Sequence, residues 1–207
     1  MIGSAAASSE VYTWEPSNAT IARRYGLRPQ EVLRFDTNTS PAPPEFLDEL
    51  LGGPFEPPLN EYPDSEYAAL VEAAARYVEV EPREVIVGAG ADEVLDLVAK
   101  AFLPAGGAAA VPVPTYAMFG VLTSQRGARV LAVPRLAGGD RFALDLERLV
   151  TTIGQVQVIW LCSPNNPTGT AEDPATIEAV LEASLSRPEP PLVVVDEAYH
   201  EFVGRTV

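Results

Sequence analysis

Basic residues are scarce in this chain: 14 lysines and arginines stand against 29 aspartates and glutamates, a formal charge of -15. A surface that acidic repels phosphate backbones and anionic membranes, which argues against nucleic acid or a lipid surface as a partner. There is one cysteine, Cys162, so no internal disulfide can form. No run of about 18 apolar residues occurs, which excludes a membrane-spanning helix. The first residues, "MIGSAAASSEVYTW", lack both a basic segment and a long apolar one, so no secretory signal is read there. These absences fit a cytoplasmic protein. The 20 prolines follow no period, which excludes a repeat architecture. Histidine and lysine are also single, at His200 and Lys100. His200 is read as structural and no metal site is assigned.

What is present is ordinary for a globular protein, with 47% hydrophobic and 21% charged residues and length enough for a real core. Residues 1–60 read as an irregular, proline-rich N-terminal arm, with "SPAPPEFLDELLGGPFEPPLNEYP" breaking any long helix. Its aromatics, Trp14, Phe35, Phe46 and Phe55, point to docking on another surface. From residue 61 to 207 the pattern is regular. "SEYAALVEAAARYV", "ADEVLDLVAKAFL", "YAMFGVLTSQRG", "DLERLVTTI" and "DPATIEAVLEASL" have helical apolar spacing. "REVIVGAG", "GAAAVPVPTY", "ARVLAVPR", "VQVIWLC" and "PLVVVDEAY" read as strands between them. The alternation predicts an α/β fold with a mostly parallel sheet and helices on both faces.

Ligands of such sheets sit outside the carboxyl ends of the strands. Four unusual polar segments fall there: "GAGADE", "PTY", "SPNNPTG" and "DEAY". "GAGADE" puts glycines before a helix, where backbone can approach a ligand and free N–H groups suit a phosphate; the plainer alternative is an N-cap by Asp92. It is neither the dinucleotide fingerprint nor a Walker A loop. Tyr116 offers a ring for stacking, or a core side chain. Asp196 ends a strand expected to be buried on both faces, where an uncompensated carboxylate calls for a cation. Tyr199 and Asn166 offer donors to a phenolate oxygen. A phosphate cradle, a stacking ring, an anion for a cationic ring nitrogen and two donors for a ring oxygen together describe a site for pyridoxal 5'-phosphate. Cys162 is read as packing within its strand, and the acidic residues as solvated surface, with Glu93 and Glu197 the exceptions.

The pieces "DTNTSPAPP", "LNEYPD", "GAGADEVL", "PTYAMF", "SPNNPTGT" and "VVVDEAYHEF" resemble, in order and spacing, the fold-type I, class II pyridoxal-phosphate aminotransferases of the histidinol-phosphate aminotransferase group. The resemblance covers the chain from about residue 30. It implies transfer of an amino group from L-histidinol phosphate to 2-oxoglutarate by a homodimer with shared active sites. It implies that the backbone of Ala91 and Asp92 binds the cofactor phosphate and that Tyr116 stacks on the ring. Asn166 and Tyr199 would bond the ring oxygen, and Asp196 the ring nitrogen. Tyr62 would reach the neighbouring subunit's cofactor phosphate, and Asn38 would lie near the substrate's amino-acid end. Residues 61–207 would then be the large cofactor-binding domain, incomplete and without the small C-terminal domain.

The family also uses a lysine that holds the cofactor covalently, about thirty residues beyond "DEAY". The sequence ends at Val207, so that lysine is expected beyond Val207 and no catalytic residue is assigned within the chain. Lys100 starts about 12 Å along a predicted helix from the phosphate loop, and is expected to point away. The chain alone is therefore expected to be inactive. A related threonine-phosphate decarboxylase, another class II aminotransferase, and a non-catalytic fragment that binds the cofactor or dimerises remain as alternatives.

Overall fold

The structure is a computed structural model that describes residues 15–39, 42–53, 58, 60–136, 142–204 and 206. Trp14 and Phe55, expected to dock, lie outside these residues, and so does Val207. The chain divides into two compact units, one of residues 13–85 and one running from 86 to 207.

The 86–207 unit holds a four-stranded, all-parallel sheet. Its strands are β1 (Ala108–Val113), β2 (Arg129–Pro134), β3 (Val158–Cys162) and β4 (Leu192–Asp196), in the order β2–β1–β3–β4. Its helices are α4 (Gly90–Phe102), α5 (Ala117–Gln125), α6 (Leu146–Thr152) and α7 (Pro174–Leu185). The two central strands carry continuous apolar sequence because both of their faces are covered. Ala109, Val111, Val158, Trp160 and Cys162 pack with Leu95, Ala99, Phe119 and Leu122 of α4 and α5. Ala108, Ala110, Ile159 and Leu161 pack the other way, with Leu149 of α6 and Ile177 and Val180 of α7. The period of two along each strand thus feeds two separate cores. On the first face Phe119 stacks on Trp160 at 5.4 Å, and the indole N–H donates to Thr123 Oγ1 at 3.1 Å, so the largest buried ring leaves no orphaned donor.

From β1 the chain passes to β2 on one side, then returns to β3 on the other side of β1. Crossovers of one hand place α5 on one face and α6 and α7 on the opposite one. That reversal opens a crevice at the carboxyl ends of β1 and β3, where a ligand can enter.

Helix boundaries follow local chemistry. Asp173 caps α7 through Ala175 N at 3.0 Å, with Pro174 in the first turn, and Gly127, at φ 68°, ends the turn after α5.

Three expectations are corrected. "REVIVGAG" is no strand: Pro82–Glu84 form a 3-10 turn with a reciprocal Glu81–Glu84 capping box, residues 85–88 continue irregularly, and Ile86 is 67% exposed. β4 is not buried on both faces; it is the outer strand of the described sheet and is half-buried throughout. Among the described residues the buried acid is Glu172, whereas Glu93 is exposed and Glu197 half-buried.

The 13–85 unit contains α1 (Asn18–Tyr25), α2 (Leu47–Gly52) and α3 (Ala68–Val78). α1 lies within the stretch expected to be irregular. Ser17 caps its start through Thr20 N, and Gly26, at φ 69°, closes its end. Arg34 ties this unit together, donating to Pro16 O at 3.1 Å and Asn18 Oδ1 at 3.0 Å while pairing with Asp36.

Candidate active site

At the crevice between the β1 and β3 ends lies a cavity of about 280 Å³. Four segments of the 86–207 unit line it: Ala89–Asp92, Tyr116, the Cys162 and Asn166 turn, and Asp196 with Ala198 and Tyr199. All four polar segments singled out in the sequence therefore reach one place.

The first segment is the entry to α4. Gly90 sits at φ 75°, and a Cβ built on it meets nothing within 4 Å, so the backbone faces open space. At Gly88 a Cβ would lie 3.0 Å from Val94 Cγ2 and 3.2 Å from Glu93 Oε2, so a larger residue there would have to push these side chains aside. The N-cap is Ala89, which has no side chain to cap with. Asp92 is therefore not the cap, and the first turn of a 13-residue helix offers its N–H groups and positive dipole end to the cavity. Glu93 reaches back to accept from Ala89 N at 2.5 Å, fixing the turn from its outer side.

Tyr116 precedes α5. Its hydroxyl donates to Asp92 Oδ1 at 2.8 Å, and its ring meets Phe119 edge-on at 5.8 Å. The side chain is thus both a member of the core and a wall of the cavity, which joins the two readings left open by the sequence.

The turn after β3 uses its two asparagines differently. Asn165 is buried and its amide is fully engaged: Nδ2 donates to Pro114 O and Thr168 Oγ1, and Oδ1 accepts from Thr115 and Arg135. Asn166, the next residue, is half-buried and faces the cavity.

Asp196 ends β4. Its Oδ1 accepts from Ala198 N at 3.0 Å, and its carbonyl accepts from Ser163 N at 2.9 Å. Burial pushes its carboxyl above the ordinary carboxylate value, against the Ala198 hydrogen bond, and the nearby charge of Asp92 pushes the same way. Among the described residues no ion pair reaches it. A cation placed in the cavity would relieve it. Cys162, which sequence reasoning left in its strand, also lines the cavity. Its thiol donates to Pro164 O at 3.3 Å and is pushed up to about 11, chiefly by burial, so it is a neutral wall.

Other candidates lie elsewhere. Tyr62 and Asn38 are exposed residues of the 13–85 unit. Lys100 is exposed and pairs with Asp96 at 2.5 Å, one turn back on α4. The lysine expected beyond Val207 falls outside the sequence, so the cavity is described without it. His200 hydrogen-bonds to Glu197 O at 3.1 Å and approaches Glu201 at 3.3 Å. A buried pair, Arg135–Glu172, escaped the sequence reading altogether. No local signal marks it, because each residue alone reads as solvated surface.

Comparisons bear on this arrangement. The family described as aminotransferase class I and II matches residues 53–206. The histidinol-phosphate aminotransferase of Roseiflexus castenholzii is 34% identical over 97% of this chain and 53% of its own length. That of Shigella boydii is 39% identical over 70% of this chain and 39% of its own. The chain spans about half the length of the curated relatives it matches. Among solved structures, histidinol-phosphate aminotransferase from Sinorhizobium meliloti in complex with pyridoxal-5'-phosphate superposes with a TM-score of 0.72, at 27% identity over 95% of this chain and 53% of that one. Alanine aminotransferase from Pyrococcus furiosus gives 0.70, at 26% identity over 88% and 48%.

Proposed function

The chain belongs to the aminotransferase class I and II family, and from that premise we propose that it binds pyridoxal 5'-phosphate and serves the transfer of an amino group from L-histidinol phosphate to 2-oxoglutarate, in histidine biosynthesis. The observation that carries the cofactor reading is one cavity joining a helix N-terminus without a side-chain cap, a tyrosine ring, an asparagine amide and a carboxylate that no ion pair reaches among the described residues. These are the chemical complements of a phosphate, a flat ring, a ring oxygen and a protonated ring nitrogen. The donor follows from the relatives' names, two of which are quoted above.

The residues take distinct roles in this reading. The backbone N–H groups of Ala91 and Asp92 hold the phosphate, with Gly90 leaving room for it. Tyr116, set by its bond to Asp92, lies against the ring face. Asn166 and Tyr199 donate to the ring oxygen. Asp196 keeps a proton on the ring nitrogen by placing a negative charge beside it. When bound, the cofactor supplies an electron-accepting ring for the pair released at the substrate's α-carbon. Cys162, neutral, keeps that wall of the pocket apolar. Lys100, committed to Asp96 and absent from the lining, is not assigned as the covalent anchor; an amine beyond Val207 takes that role.

Residues 61–207 act as the large cofactor domain and 1–60 as an arm that packs across a homodimer. Leu33, Phe35, Phe46, Leu51 and Tyr62, each at least 60% exposed in the single chain, support a partner surface. In that dimer Tyr62 contacts the other subunit's cofactor phosphate and Asn38 the substrate. No helix among the described residues is long and apolar enough to cross a membrane. A cytoplasmic setting agrees with a single, buried thiol.

The test uses the whole protein with pyridoxal 5'-phosphate, L-histidinol phosphate and 2-oxoglutarate. Glutamate is expected to form in step with loss of histidinol phosphate. Release of carbon dioxide from O-phosphothreonine, with no glutamate from histidinol phosphate, would overturn the assignment in favour of a decarboxylase.

A further inference from the structure

Two side chains that line the cavity each follow a member of one buried polar network: Thr115 precedes Tyr116, and Asn165 precedes Asn166. At the centre of the network are Arg135, whose side chain is fully buried, and Glu172, joined by a short charge-assisted bond. Arg135 Nη1 also donates to Phe142 O at 2.9 Å, and Nη2 donates to Asn165 Oδ1 at 3.1 Å. Glu172 Oε2 accepts from Leu144 N at 3.4 Å, and the Glu172 backbone N–H donates to Ser163 Oγ at 3.1 Å. Asn165 meets all four capacities of its amide, and its backbone bonds Thr170 O at 2.8 Å and Gly169 N at 2.7 Å.

We propose that Arg135, Glu172 and Asn165 are positioning residues, forming a buried clamp that locks the turns carrying Tyr116 and Asn166 in the orientation the cavity requires. Stability alone does not account for such a clamp. A buried ion pair is commonly replaceable by well-packed apolar residues with little loss, because desolvating both charges offsets their attraction. Its hydrogen bonds are directional, however, and apolar packing is not. The guanidinium fork fixes Asn165 relative to the end of β2, while Thr115 and Pro114 fix the same amide relative to the end of β1. With residue 165 held through side chain and backbone, and Pro167 narrowing the backbone range of residue 166, Asn166 has little freedom left to leave the cavity. Thr115 is held through its hydroxyl on Asn165, and the ring of the next residue, Tyr116, is further restrained by Asp92 and Phe119.

The test compares the intact protein with two variants: the double replacement Arg135→Met, Glu172→Leu, and the milder Thr115→Val. Hydrogen–deuterium exchange is followed in the cofactor-free protein, and pyridoxal 5'-phosphate binding is measured by equilibrium dialysis; the binding arm rests on the function proposed above. In the double variant, exchange in peptides spanning 114–118 and 163–170 is expected to rise about tenfold, while the core amides of α7 keep their protection. Cofactor affinity is expected to fall about tenfold, together with a drop in melting temperature from the orphaned Leu144 N–H and Asn165 Oδ1, while the α7 amides show that the core stays folded. Thr115→Val is expected to move the same readouts in the same direction by about twofold, and it decides the matter if the double variant does not fold. Parental exchange in both peptides would overturn the clamp. If the parent protein binds no pyridoxal 5'-phosphate, the function reading fails and the exchange arm alone judges the clamp.

Discussion

Asp196 is the residue on which the chemistry of the site turns. Its carboxyl is raised above the ordinary carboxylate value because burial disfavours the charged form, and among the described residues no ion pair offsets that cost. The sign for stability is set by that direction. A carboxyl with a folded value above its unfolded value binds more protons when folded, so its contribution falls as pH rises through that window. Cofactor-free Asp196→Asn protein is therefore expected to melt at or above the parent's temperature near pH 7, the two converging below about pH 4. Melting curves across pH check this, and a clear loss of stability at pH 7 would remove the electrostatic account. In the cofactor-bound enzyme the same substitution is expected to lower kcat about a hundredfold to a thousandfold, since the ring nitrogen loses its anion. Sequence patterns exposed Asp196 because a charge at the end of an apolar run is conspicuous. The sequence reading names Asn166, and the structure opens that residue to the cavity while burying its neighbour Asn165. Arg135 and Glu172 lie 37 positions apart and become a pair only through the sheet.

Elements with self-contained signals were legible. β1 and β3 are continuous apolar runs because two helical layers cover them, and α7 carries its own cap and proline. Failures occurred where neighbours decide. "REVIVG" has strand composition, but Pro82 and the Glu81–Glu84 box spend its start on a 3-10 turn, and no described strand pairs with residues 85–88. β4 has the composition of a central strand and stands at the edge of the described sheet. α1 was hidden by its polar sequence, although Ser17 and Gly26 mark both ends. The entry to α4 supplies an element-scale test. Gly90→Ala places a Cβ in open space at φ 75°, so it strains the backbone by about 1 kcal/mol without a clash. Weaker phosphate binding is expected with that modest loss of stability. Isothermal titration with pyridoxal 5'-phosphate against pyridoxal separates the two: a drop for both ligands alike would mean the turn does not hold the phosphate.

At the scale of the molecule, the sequence conveyed the α/β class and the common edge of its motifs, because alternating periods and polar strand ends are global patterns. Helix α3, which continues the regular pattern of the sequence, belongs to the compact 13–85 unit. The exposed aromatics of the 13–85 unit concern assembly. Tyr62 is 98% exposed in the single chain, which suits a side chain that acts on a neighbour. Light scattering of the whole protein at micromolar concentration is expected to give twice the protomer mass, and Tyr62→Phe is expected to leave that mass unchanged while weakening cofactor retention. A fully active monomer would refute the shared-site arrangement.

We have proposed that one cavity, built from four strand-end segments, holds pyridoxal 5'-phosphate for transamination of histidinol phosphate. The most direct test is the visible absorption spectrum of the whole protein reconstituted with the cofactor. A protein-bound band is expected to bleach on adding L-histidinol phosphate and to return on adding 2-oxoglutarate, with Asp196→Asn protein slowed in both directions. A spectrum identical to that of free cofactor, or a bound band indifferent to histidinol phosphate, would contradict it.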